Sequence, residues 1–440
     1  MYKQLKVLMI VLCVPAVVFA QQSFTLQQAQ DYGVQNNIAT KTAALDILGA
    51  EATVGERLSV GLPQLSASVD YQNFLKLPTS LIPAEFFGGE AGEFAEVQFG
   101  TKQNVTAGLS FSQLIFNGSW LVGLNAAKTY VGLIEGQQKL SESEVKKNIE
   151  IAYYTALISA ESETIWQKNI ENLSKTLTEV KAMNKEGFVE EIDVDRLQIS
   201  LSNLQTNLEN VQRQTDLAKT YLKFQMGMDV NTEIILADSL NGAQDNFVAL
   251  ENDQHYLNRP EFEILETTRI LNELNVKVNK AGYLPSLVLI GSYQQNAQRN
   301  EFDFFNANQP WFETALVGVS LQIPIFDGLQ KKNAIENAQI GLQKAELIQR
   351  NATQGILLEI EKTKTDYLNA QNELNNQLSN IQLAEKIYNV SMVKYREGVG
   401  SSLELTTAES ALYQIQGAYI GALFNYLSAQ TNLKKALGYI

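Results

Sequence analysis

The sequence predicts a mixed α/β membrane protein built as two tandem structural repeats. Each repeat carries two membrane-crossing β-strands and a pair of long coiled-coil α-helices. Three observations carry this. A strand pattern runs directly into a very long helical one: Val317, Val319, Leu321 and Ile323 alternate with Gly318, Ser320, Gln322 and Pro324, the two-residue period of a half-exposed strand. From Leu329 to Arg396 the chain then has no proline and reads as one helix, which at about 1.5 Å per residue reaches about 100 Å. The same junction occurs earlier, where Ile115-Phe116-Asn117-Gly118 matches Ile325-Phe326-Asp327-Gly328 at an offset of 210. Lastly, Leu412, Ile415, Tyr419, Ala422, Tyr426, Ala429 and Leu433 are spaced 3,4,3,4,3,4, and a sustained 3.5-residue repeat means coiled-coil packing.

Taken in order, the chain begins with a leader. Lys3 and Lys6 precede the apolar run Val7 to Phe19, and Val18-Phe19-Ala20 offers a small-residue cleavage site. This is a signal peptide over residues 1–20, cleaved after Ala20 and too short to span a bilayer. The only cysteine, Cys13, lies within it, so the mature chain has neither a disulfide nor a lipid-modified N-terminal cysteine. No later segment offers 18 consecutive apolar residues. An exported chain of this kind is periplasmic, secreted or an outer-membrane β-structure. With 440 residues, 45% hydrophobic, it has material for a large core. Its net charge of −14, without a Lys/Arg cluster, argues against a nucleic-acid partner.

The first repeat covers residues 21–228. A helix is expected from Ser23 to Ser59 with Thr25 as N-cap, ended by Leu62-Pro63. A strand follows at 65–72, then a Gly/Pro-rich loop holding Phe86 and Phe87, a strand at 105–116, a long helix at 119–186 and a return helix at 192–225. Gly187 is a candidate left-handed C-cap between those helices. Residues 229–258 form a connector. The second repeat, 259–440, holds a helix at 262–281, strands at 286–294 and 314–326, a long helix at 329–396 and a return helix at 402–437. Leu284-Pro285-Ser286-Leu287 matches Leu62-Pro63-Gln64-Leu65 at an offset of 222. Glu397-Gly398 matches Glu186-Gly187, and Leu437-Gly438 matches Met226-Gly227, both at 211. The seam partners at that offset are Leu201, Leu204, Leu208, Val211, Thr215, Ala218 and Leu222. The loop between the second pair of strands carries Phe302, Phe304, Phe305 and Trp311, either an aromatic belt or plug or ordinary loop packing.

Strands of about 10 residues suit a tilted bilayer crossing. Four of them cannot close a barrel, and open edges leave unpaired backbone groups in hydrocarbon. The chain is therefore expected to oligomerise. Three copies supply twelve strands, a trimeric barrel continued by an α-helical coiled-coil tunnel.

The tandem halves, the Leu-Pro-[Gln/Ser]-Leu strand entries, the Ile-Phe-[Asn/Asp]-Gly junctions, the turn from Tyr395 to Leu405 and the terminal Leu-Lys-Lys-Ala-Leu-Gly together resemble the TolC family of outer membrane efflux proteins. The resemblance runs from Ser23 to Gly438. It implies a homotrimeric channel-tunnel in the outer membrane and its lipid, a passive exit duct for small drugs or toxic compounds with its helical part in the periplasm. It implies two further partners, a periplasmic adaptor and, through it, an inner-membrane transporter. By resemblance, Tyr395 and Glu404 fall at the periplasmic aperture, and Gly187, Gly398, Val399 and Gly400 at the tips that meet the adaptor. Glu404 could contribute to a carboxylate ring selecting cations; a first-turn acid favoured by the helix dipole is the equal alternative. Thr407 and Gly400 depart from the family's acidic and arginine positions, so the latch is expected to be differently built. Asp193 and Asp195 read as dipole partners of the first return helix.

No GxSxG, HExxH, P-loop or GxGxxG pattern is present, and His255 is the only histidine. No catalytic residue, metal site or cofactor is expected, and the chain does not read as an enzyme. The alternatives are the same duct serving a type I protein-secretion system, or a periplasmic coiled-coil scaffold without a pore. The substrate is not legible in these residues.

Overall fold

The computed structural model describes residues 22–240 and 255–440. The expected leader, its cleavage position after Ala20 and residues 241–254 of the expected connector lie outside the described residues. The elements run β1 Gln22–Phe24, α1 Leu26–Asn36, α2 Ile38–Ser59, β2 Gln64–Asn73, β3 Thr79–Pro83, β4 Phe94–Gln98, β5 Gln103–Asn117, α3 Gly118–Lys185, α4 Glu191–Met226 and β6 Ile234–Leu236. After a 3-10 turn at His255–Asn258 come α5 Pro260–Ala281, β7 Ser286–Arg299, β8 Phe312–Gln322, α6 Gln330–Arg396 and α7 Ser402–Ala436. The contacts divide the chain into two units.

The first unit comprises residues up to Ala43, Gln138–Arg259 and Gly355–Ile440. It is helical, with β1 pairing in parallel with β6. One core gathers Ile149, Tyr153, Leu222, Met226, Leu423, Leu427 and Leu433. The buried Tyr153 hydroxyl donates to the Phe24 carbonyl at 2.8 Å, which satisfies its polar end. A second core, Leu173, Leu177, Val180, Leu197, Leu201, Leu204 and Leu405, lies toward the helix hairpins. The 3,4 spacing marks the buried faces of the return helices: Leu412, Ala422, Tyr426 and Leu433 are buried on α7, and Leu201, Leu204, Thr215, Ala218 and Leu222 on α4. Thr215 sits in the seam because its hydroxyl donates back to Val211 O at 3.0 Å.

The expected single helix from Ser23 to Ser59 is two. Thr25 does cap α1, in a reciprocal capping box with Gln28. Asn37 then leaves the helical region, with ψ 141°. Its side-chain oxygen caps α2 through Ala39 N–H at 2.7 Å, and its amide donates to the Gln225 carbonyl at 2.7 Å. The break is thus held by the end of α4. Gly227 closes α4 at φ 70°, and a Cβ there would lie 2.5 Å from the Asn36 carbonyl oxygen.

The second unit comprises Ala44–Gln137 and Pro260–Gln354. Its centre is an antiparallel sheet in the order β2-β5-β7-β8, leaving β2 and β8 as edges. The register sorts the side chains by face. Leu65, Phe111, Gly291 and Val317 stand in one row, and Ala67, Leu109, Tyr293 and Ala315 in another on the same face. The opposite face carries rows such as Ser68, Gly108, Gln294 and Thr314. One face is therefore apolar and the other largely polar. Val317 is 82% exposed on that apolar face. The helices of the unit are tied by the Trp120 indole donating to Arg57 O at 2.7 Å and Ser119 to Val278 O at 3.0 Å.

Two expectations about this unit need correction. The loop after β2 contains a second hairpin, β3 with β4, carrying exposed Phe86 and Phe87 in the turn between them. Its two five-residue strands are too short for alternation to separate them from the surrounding glycines. The strand expected at 314–326 ends at Gln322. Pro324 supplies no N–H donor, and Gly328 and Leu329 turn through positive φ into α6. Asp327 then receives Lys331 N–H at 3.2 Å and its ammonium at 2.9 Å. At the matching earlier junction, Leu114 replaces the proline, and β5 reaches Asn117 through a bulge at Ile115, between Leu114 and Phe116; the Asn117 side chain accepts Trp120 N–H at 2.9 Å. In the second loop, Phe302 and Phe304 pack edge-on against Tyr71, with centroids 5.8 and 6.0 Å away. Phe305 remains exposed.

Gly187 and Gly227 separate backbone strain from crowding. A left-handed residue with a Cβ costs about 1–2 kcal/mol. Gly187→Ala should show only that loss, since nothing lies near its Cβ position. Gly227→Ala should lose at least twice as much in chemical unfolding followed by helical circular dichroism; equal losses would mean that Asn36 gives way.

Candidate functional site at the two helix hairpins

The first unit presents two helix hairpins, α3–α4 and α6–α7. Each long helix ends in a glycine at positive φ, Gly187 at 81° and Gly398 at 74°, a conformation that costs glycine nothing. Gly187 N–H donates to Asn184 O, and the next amide, Phe188, reaches Met183 O, both at 3.0 Å. Gly398 N–H reaches Tyr395 O at 3.1 Å, and Val399 and Gly400 both reach Lys394 O at 3.0 Å. Both turns thus satisfy the last carbonyls of their helices. Gly400 is needed for space: a Cβ would lie 3.0 Å from the Lys394 Cβ and 3.1 Å from Tyr395 N.

Each turn exposes one large apolar side chain, Val399 and Phe188, both 78% exposed. Phe188 was not singled out from the sequence. The signal was there, since the offset that aligns Gly187 with Gly398 also aligns Phe188 with Val399.

The residues expected at an aperture have different settings. Tyr395 is 5% exposed and packs among Leu173, Leu177, Val180 and Leu405. The ring is part of that second core. Its hydroxyl finds no hydrogen-bond partner among the described residues. Burial, and the Asp193 carboxylate with it, push its pKa up. Glu404 is half-exposed in the first turn of α7. Its N–H donates to the Ser401 cap at 3.1 Å and its carboxylate pairs with Lys394 at 3.0 Å. Lys394 tempers the free negative charge that a carboxylate ring would draw on, and a pair this exposed contributes about 0–1 kcal/mol.

Asp193 does more than favour a helix dipole. It accepts a hydrogen bond from the Ser402 hydroxyl, and Ser402 in turn accepts from Arg196 at 2.9 Å. Arg196 lies 3.8 Å from the same carboxylate. Ser402 is 3% exposed. This triad joins the first turn of α4 to the first turn of α7. Arg396 of α6 joins Glu179 of α3 at 2.9 Å. The two hairpins are thus bound by charge-assisted bonds just behind their turns. No group of metal-ligating side chains occurs among the described residues.

Residues 253–439 match the family described as outer membrane efflux protein. The "Probable efflux pump outer membrane protein TtgC" of Pseudomonas putida is 21% identical over 422 residues, which cover 94% of this chain and 82% of that protein. The "Outer membrane protein TolC" of Escherichia coli is 20% identical over 437 residues, covering 95% and 83%. Among solved structures, that of CusC superposes with a TM-score of 0.75 at 16% identity, covering 94% of this chain and 92% of that one. At that identity the likeness speaks for the fold.

The buried hydroxyl of Tyr395 gives a test. An unsatisfied buried polar group costs about 1–3 kcal/mol, so Tyr395→Phe should leave thermal stability unchanged or raised. A lower melting temperature would mean that the hydroxyl has a partner in the assembled protein.

Proposed function

We propose, for a chain that belongs to the outer membrane efflux protein family, that it forms the outer membrane channel of a tripartite efflux pump, a passive exit duct for small molecules. The observation that carries this is the open sheet. Its apolar face and both edge strands are exposed, and an isolated sheet of this kind cannot rest in hydrocarbon with unpaired edges. Three copies edge to edge make a twelve-stranded barrel, apolar outward and polar toward the lumen, and their paired long helices make the periplasmic tunnel. The two halves of the chain act as structural repeats within it.

The hairpin turns are the periplasmic end in this reading. Gly187, Phe188, Gly398, Val399 and Gly400 offer the adaptor a small apolar contact at each turn, and the adaptor links the channel to an inner-membrane transporter. Glu404 with Lys394 lies beside the aperture, and the Asp193–Ser402–Arg196 triad holds the two hairpins together when it is narrow. Energy for transport comes from the transporter, and the chain has no chemistry to perform.

Protein extracted in detergent from the outer-membrane fraction should have the mass of a trimer. A soluble periplasmic monomer would replace the channel by a scaffold. Ser402→Ala removes the hydroxyl between Asp193 and Arg196 and should raise single-channel conductance in planar bilayers severalfold; unchanged conductance would remove the triad from the gate. Gly398→Val strains a left-handed turn and should weaken capture of the adaptor at least tenfold, whereas wild-type capture would place the contact elsewhere.

A further inference from the structure

Seven residues behind the Asp193–Ser402 contact, the seam between α4 and α7 carries a second polar contact of the opposite sense. Ser200 of α4 donates to the Glu409 carboxylate of α7 at 3.0 Å, and Tyr413 donates to its other oxygen at 2.9 Å. In the first contact the acid is on α4 and the serine on α7; in the second these are exchanged. Both partners advance by one heptad, so the two contacts are successive rungs of one seam. The rungs differ in charge balance. Asp193 has Arg196 beside it. Glu409 is 1% exposed, is held by two hydroxyl donors and has no ion pair among the described residues.

We propose that Ser200 and Glu409 form a second, inner rung of the hairpin latch, and that this rung makes the closing of the channel end acid-sensitive. The inference rests on the channel reading above. A buried carboxylate without a cation is costly when ionised and much less so when protonated. Separation of α4 from α7 breaks the bond to Ser200 and lets water reach Glu409. Ionisation therefore favours the separated hairpins, and protonation favours the joined ones. Burial raises the pKa of Glu409 above the usual carboxylate range. A carboxyl whose pKa is higher in the joined state takes up its proton preferentially there, so the joined state gains as pH falls.

The surrounding groups leave Glu409 as the site of this response. Tyr413 of its own helix and Tyr388 of α6 both have pKa values raised by burial, with the Glu409 charge as a further cause, so both remain neutral phenols. Ser200 does not titrate. Lys168 of α3 and Glu385 of α6 line the 320 Å³ cavity that Tyr388 and Tyr413 also line. On the turn side, Arg196 faces Asp193 and Arg396 faces Glu179.

The test compares the single-channel conductance of the wild-type oligomer and of Glu409→Gln in planar lipid bilayers between pH about 7.5 and about 5, both in a Glu404→Gln background that removes the exposed carboxylate. The wild-type conductance should fall severalfold across this range. Glu409→Gln, neutral at every pH and still able to meet both hydroxyls, should be low and flat. An unchanged pH profile in Glu409→Gln overturns the inner rung and leaves the channel standing, whereas a folded wild-type oligomer that conducts at no pH overturns the channel. If Glu409→Gln does not assemble, Ser200→Ala serves. It takes one donor from the carboxyl and weakens the joined state at every pH, so it should raise conductance at pH about 7.5 and move the fall to lower pH; an unmoved fall overturns the proposal.

Discussion

The constraint on which the structure turns is that backbone N–H and C=O groups must be paired wherever water is absent. The four-stranded sheet meets it between β2, β5, β7 and β8 and leaves it unmet along the outer sides of β2 and β8. Those two strands are also exposed along nearly their whole length, with Leu65, Val69, Val317 and Leu321 bare. A water-soluble protein would cover such edges or charge them. Here they are long and apolar, which fits strands that complete their ladders with copies of themselves in a lipid environment.

The helical unit answers to a different demand. Its long helices need a partner along their whole length, and the 3.5-residue repeat supplies it with alanine and leucine at close approach. An apolar seam alone would leave the helix register weakly specified. The exchanged acid–serine contacts, Asp193 with Ser402 and Ser200 with Glu409, fix α4 against α7 at one heptad spacing. They lie near the hairpin turns, and such bonds are directional and lost over a small displacement.

The turns themselves depend on glycine for two separable reasons. Gly187 and Gly398 supply a left-handed backbone in open space. Gly400 and Gly227 supply room, the first for the end of α6 and the second for the chain at Asn36. Pro324 acts in the opposite direction. By withholding a donor it ends β8 early, so the second strand-to-helix junction is an irregular turn, whereas at the first the strand bulges at Ile115 and still reaches the helix.

By itself the sequence determined the periodic features: four alternating strands, two helices of nearly seventy residues, the glycine turns and the seam. Each rests on a pattern repeated over many residues and again in the other half of the chain. Local substitutions that break the correspondence, Pro324 for Leu114 above all, also lay in the sequence, but their effect depended on how the neighbouring strand and helix adjusted. What only the tertiary structure decided were pairings between residues about two hundred positions apart. The neighbours of Tyr395 are not legible until Leu173, Leu177 and Leu405 close around it. Asp193 reads as a helix-start acid until Ser402 meets it. Glu409 is an unremarked acid on a helix until Ser200 and the Tyr413 hydroxyl converge on it and water is excluded. Periodicity names the face a residue occupies; which side chain stands opposite depends on the register between helices, and that is set only when the hairpins pack.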